Sequence, residues 1–126
     1  MVADVLIEVL HLRHFNQFGN DFSTVENYGF IVHMGGLKVF HVGDVRYSPA
    51  TFSPFGLDEE GIDVVIIPAF NTLLSPTNAS VINSFVAPAN VLALHFQTAA
   101  TNNEAAQARS IFGADTFTTP LEFIRY

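Results

Sequence analysis

Short apolar runs alternate along the chain with polar breaks marked by glycine or proline, and the period of each run assigns its element. Val2 to Leu12 (VADVLIEVLHL) is rich in β-branched residues and leucine and predicts a strand. A polar, Asn-rich loop follows from Arg13 to Asn27. The stretch YGFIVHMGGLKVFHV, residues 28–42, predicts two strands joined by a two-residue primed turn at Gly35-Gly36. Pairing Met34 with Leu37 sets Phe30, Val32, Met34, Leu37, Val39 and His41 on one face. Ile31, His33, Lys38, Phe40 and Val42 take the other. Both faces are mostly apolar, so the hairpin is expected to be covered on both sides near its open end.

Tyr47 to Gly61 reads as loop with one helical turn around residues 57–60. IDVVIIPAF, residues 62–70, is a continuous apolar run stopped by Pro68, the pattern of a buried central strand. Ser75-Pro76 reads as an N-cap followed by proline at the first helical position. That helix is expected to reach about Ala87, with Val81, Ile82, Phe85 and Val86 inward. NVLALHF, residues 90–96, is a second buried strand. Thr101 and Glu104 form a T-x-x-E capping box for a helix ended by Gly113. DTFTTPLEFIRY closes the chain as a strand or hairpin. The expected fold is therefore α/β: one domain over residues 1–126, a mixed sheet with helices on one face.

Composition sharpens this picture. Hydrophobic residues make up 49% of the 126, which excludes intrinsic disorder. Charged residues are 13%, about half the roughly 25% of an ordinary soluble domain. So few charges imply a large apolar face covered by another chain or domain. A net charge of −7 with five Lys and Arg argues against nucleic acid, whose phosphates need clustered cations. No basic amphipathic helix or long apolar span points to a membrane. Without cysteine there are no disulfides and no thiolate ligands or nucleophiles. Asp4 and Glu8 interrupt the apolar N-terminus, unlike a signal peptide, so a cytoplasmic protein is expected.

Three candidate ligands each close a predicted strand: His14 the first, Asp44 the hairpin, His95 the NVLAL strand. Parallel strands bring their carboxyl ends to one rim, where such folds hold ligands. Two imidazoles and a carboxylate suit a hydrolytic metal site, and they are expected to converge on one ion. Each has an ordinary structural reading beside this one. Asp44 in a Gly-Asp turn can instead bond the N–H groups of residues 45–47. His95 can be a satisfied strand-end histidine. His11 and His14, three apart, lie on opposite strand faces, so only one can face the site. His33 and His41 sit inside the hairpin and read as structural. There is no nucleophilic serine elbow and no glycine-rich phosphate loop.

Taken jointly, ENYGFIVHMGGLKVFHVGDVRYSP, GIDVVIIPAF and ANVLALHF resemble the C-terminal half of the metallo-β-lactamase superfamily, most nearly its lactonase-like hydrolases. The resemblance implies half of an αβ/βα sandwich. It places Asp44 as the carboxylate bridging two metals, His95 as a ligand of one and His14 of the other, with His11 the alternate. The superfamily's His-x-His-x-Asp-His motif is absent and would lie upstream of Met1, so each metal keeps two protein ligands. The implied metal is zinc or manganese, held weakly, with a metal-free chain the equal alternative. Packing of two sheets in the whole fold also accounts for the low charge. The expected partner is a second copy of the chain, as a homo-oligomer, or a complementary N-terminal-half chain. Two functions follow. One is a remnant or subunit of a metal-dependent hydrolase of esters, lactones or phosphoesters, working through metal-activated water. The other is a non-catalytic, self-associating module, which the missing ligands favour for the isolated chain.

Overall fold

The computed structural model of the chain describes residues 5–16, 21–97 and 100–118. Its six strands form one sheet in sequence order: β1 (Ile7–Arg13), β2 (Glu26–Met34), β3 (Leu37–His41), β4 (Val64–Pro68), β5 (Asn90–Leu94) and β6 (Asp115–Thr116). β1, β2 and β3 form an antiparallel meander, while β3 through β6 run parallel. The three parallel crossovers carry α1 (Pro49–Phe52), α2 (Pro76–Phe85) and α3 (Thr101–Phe112). Because each crossover moves one strand onward in the same direction, a constant hand stacks all three helices on the same face. The α/β class and its mixed sheet follow as the sequence predicts.

Local chemistry explains most boundaries. Gly35 and Gly36 take φ of 62° and 87°, the primed turn that matches the twist of the flanking strands. Met34 pairs with Leu37 as expected. The Ser75 hydroxyl accepts from Asn78 N at 3.2 Å, capping α2 behind Pro76. Gly113, at φ 63°, ends α3 by donating to the Ala108 and Arg109 carbonyls.

Four expectations need correction. β1 begins at Ile7, and residues 2–4 of the expected strand lie outside the described residues, as do 119–126 of the closing one. The segment after Tyr47 holds α1 as well as two 3₁₀ turns, since Pro49 and the Ser48–Thr51 hydroxyl bond at 2.8 Å nucleate a turn there. Thr101 is not the cap of α3: it is the first helical residue, and its hydroxyl donates to Gln97 O at 3.1 Å. Buried Glu104 accepts from Gln97 N at 2.6 Å instead, tying β5's exit to the helix.

The hairpin is the fourth correction. Leu12, Ile31, Phe40, Val42, Val65, Ile67 and Ala93 pack under the helices with Phe52, Ile82, Val86 and Ala108. The opposite face of β1–β3 is open: Ile7 is 52%, Val9 59%, Phe30 40% and Met34 59% exposed. On β1–β3 one sheet face is therefore core and the other an uncovered apolar surface, while Val64 and Leu92, on that second face of β4 and β5, are buried.

Candidate metal centre

β1 runs parallel to β3 because each is antiparallel to β2, so β1, β3, β4 and β5 all end at one rim. There the chain leaving β1 is zipped to the chain leaving β3. Phe15 N donates to Asp44 O at 3.0 Å, Arg46 N to Arg13 O at 2.7 Å, and His14 bridges to Val45. This pairing carries His14 to Asp44 across thirty residues of sequence.

Asp44 is held by its neighbours rather than by its own turn. Val42 N extends the parallel ladder to Ile66 O at 3.2 Å, and Gly43 then turns the chain at φ 64°. Buried Asn27 clamps both ends of that turn. Its Nδ2 donates to Val42 O at 3.1 Å, and its Oδ1 accepts from Asp44 N at 2.8 Å. Arg46 N is committed to Arg13, and the Asp44 carboxylate faces two imidazoles: Oδ2 lies 4.0 Å from His14 Nε2, and Oδ1 lies 3.4 Å from His95 Nδ1.

The two histidines are supported differently. His14 is largely buried, stacked on Phe15 with ring centroids 4.9 Å apart, and its Nδ1 lies 2.7 Å from Phe15 O. A carbonyl only accepts, so the proton of the neutral ring sits on Nδ1 and the Nε2 lone pair is left on the Asp44 side. This is the support that metal-binding histidines use. His95 is more exposed and stands edge-on to Phe70 at 4.3 Å. Its backbone φ is 63°, a left-handed conformation that costs a non-glycine residue about 1–2 kcal/mol. Strain of this kind gathers at functional sites.

Two of the remaining histidines, His11 and His33, are engaged elsewhere. His11 pairs with Glu26 at 2.5 Å, and His33 with Glu8 at 2.6 Å. His41 accepts from Gly43 N at 3.1 Å through Nδ1 and shares with Asp44, His95 and Pro68 a hollow of about 40 Å³. The expected convergence of three ligands on one ion does not occur. Among the described residues no three His, Asp or Glu side chains gather closely enough for that. The arrangement is two pairs, with Asp44 common to both. Asn27 and His41 complete its surroundings. Neither carries a spacing signal in the sequence, where Asn27 falls at the end of a polar loop and His41 among structural residues; Asn27 in fact lies in β2.

The family model described as the beta-lactamase superfamily domain matches residues 1–95. A UPF0173 metal-dependent hydrolase of Symbiobacterium thermophilum is 34% identical over 72 residues, 56% of this chain and 32% of that protein. The crystal structure of the metallo-beta-lactamase fold protein YhfI from Bacillus subtilis superposes with a TM-score of 0.60 at 17% identity. That match covers 92% of this chain and 47% of YhfI. The chain thus spans about a third of the curated relative and about half of the solved one. By its family match and its fold, the chain belongs to the metallo-β-lactamase superfamily.

Proposed function

We propose that this chain is the half of a metal-dependent hydrolase that contributes Asp44, His14 and His95 to a divalent-metal centre. The observation that carries this reading is the Asp44 carboxylate set between two imidazoles, one oxygen toward each. A carboxylate shared by two histidines suits zinc or manganese. Two protein ligands per position fall short of the three or four such ions take, so the remaining ligands come from a complementary layer. A bound ion would supply Lewis acidity for hydrolysis of an ester, lactone or phosphoester. This chain's residues hold and orient: Asn27 and Gly43 fix Asp44, Phe15 fixes the His14 tautomer, and Phe70 flanks His95. The uncovered face of β1–β3 receives that complementary layer, a second sheet of the same fold. The relative named a metal-dependent hydrolase supports the reaction class.

Zinc titration of the metal-stripped chain tests the reading. Asp44→Ala should weaken affinity by about tenfold or more, because it removes the ligand common to both pairs. An unchanged affinity would show that any bound zinc is adventitious. The non-catalytic, self-associating module draws its support from the open apolar face and from the lack of a three-ligand group. A dimer that takes up no zinc or manganese would favour it.

A further inference from the structure

Arg13 and Arg46 stand opposite one another across the bridge that joins the exits of β1 and β3, where Arg46 N donates to Arg13 O at 2.7 Å. Like charges facing across antiparallel backbone repel. In a chain with twelve acidic residues, such a pair would ordinarily be neutralised. Here it is not. Among the described residues neither guanidinium forms an ion pair: Glu26, the register partner of Arg13, is paired with His11, and Glu60 with Lys38. Bonds to Ser23 hold the Asp21 carboxyl below its ordinary value, and Arg46 helps to do so, less than those bonds.

Both arginines line one cleft of about 380 Å³, whose wall also includes His14, Asn16 and the paired His11 and Glu26. That volume lies within the roughly 300–1,000 Å³ of small-molecule sites. Two of the five cations of an acidic chain thus meet beside a histidine of the candidate centre. Guanidinium groups offer planar forks of N–H donors matched to carboxylate and phosphate oxygens. We infer that this cleft binds an oxyanion, the carboxylate or phosphate of a small anionic substrate, and presents its hydrolysable bond to the Asp44 side. The inference rests on the hydrolase reading for the word substrate; the anion site stands or falls by itself.

The probes are inorganic phosphate and acetate, titrated at constant ionic strength into the metal-free, ¹⁵N-labelled chain. Saturable shifts of the Arg13 and Arg46 Nε–H signals are expected, and Arg13→Gln or Arg46→Gln should each weaken binding by roughly tenfold, the loss of one charged hydrogen-bonding partner. Tighter binding of one probe names the oxyanion. Both arginines are exposed, so both variants should keep the native far-UV spectrum and Tm. Shifts that never saturate, or that survive both substitutions, would overturn the site. Zinc affinity measured on the same variants should be unchanged. Loss of zinc binding in Asp44→Ala with phosphate binding intact separates the two proposals, and a chain that binds phosphate through these arginines but no zinc would sink only the metal reading.

Discussion

A side chain at Gly43 would have nowhere to go. Its Cβ would fall 2.3 Å from Asn27 Oδ1 and 2.8 Å from Tyr28 O, and its φ of 64° disfavours any residue but glycine. Asn27 and Gly43 are therefore one device, and the carboxylate of Asp44 is its product. Asn27→Ala should speed hydrogen exchange at the Asp44 amide while the amides of Val65 and Ala93 in the core strands keep their protection. It should also weaken zinc by about tenfold, and by no more in an Asp44→Ala background, since both changes act through one group. Equal loosening of core and turn would make Asn27 a general packing residue. Asp44 drew attention in the sequence because it closes an apolar strand, although a Gly-Asp turn offered an ordinary structural reading beside that one. Asn27 did not, because its partner lies seventeen residues away and the pairing exists only once β2 and β3 meet.

Among elements, the antiparallel meander and the parallel half are coupled at the start of β3. Lys38 N donates to Asp63 Oδ2 at 2.7 Å, and Lys38 Nζ to Glu60 Oε2 at 2.8 Å. The Lys38 ammonium holds the Glu60 carboxyl below its ordinary 4.5, and Glu60 in turn raises Lys38 above 10.5. The depressed Glu60 contributes stability that is present above 4.5 and lost as pH falls through its folded value. The raised Lys38 contributes stability that is present below 10.5 and lost as pH rises through its own. Both groups lie at the surface, so the contribution is small and screened by salt. NMR titration should find Glu60 below 4.5, and Lys38→Gln should return it to its ordinary value; no change would leave the pair without energetic coupling. Elements of this kind were largely readable. The glycine turn, the Ser75 cap and the apolar run ending at Pro68 are local signals. The α3 start was misread because buried Glu104 turns back to Gln97 rather than to a threonine cap.

At the scale of the molecule, the dominant feature is the uncovered face of β1–β3. Exposed Ile7, Val9, Phe30 and Met34 form a continuous apolar surface of the kind soluble monomers avoid. The chain matches about half of YhfI in fold, and we propose that this face takes a second layer. On the proposal that a second copy of the chain supplies that cover, light scattering at micromolar concentration should give a dimer. The interface should exceed roughly 1,000 Å², as a specific association requires. A monomer that binds no hydrophobic dye would show that this face needs no cover. Among the described residues no helix is long and apolar enough to cross a membrane.

The sequence by itself determined what depends on neighbours along the chain: the periods of strand and helix, the Gly35-Gly36 turn, the α/β class, and a rim marked by residues that close strands. It also revealed, through low charge, that some apolar surface is left over. Only the tertiary structure decided which face that is, since a period-two strand with two apolar faces gives no local preference for either. The same holds for the site. Strand ends nominated His14, Asp44 and His95, but the bridge from His14 to Val45 chose His14 over His11, which Glu26 had already taken. Packing around Asn27 then turned the carboxylate toward two imidazoles separately, because the direction of a side chain is set by contacts distant in sequence.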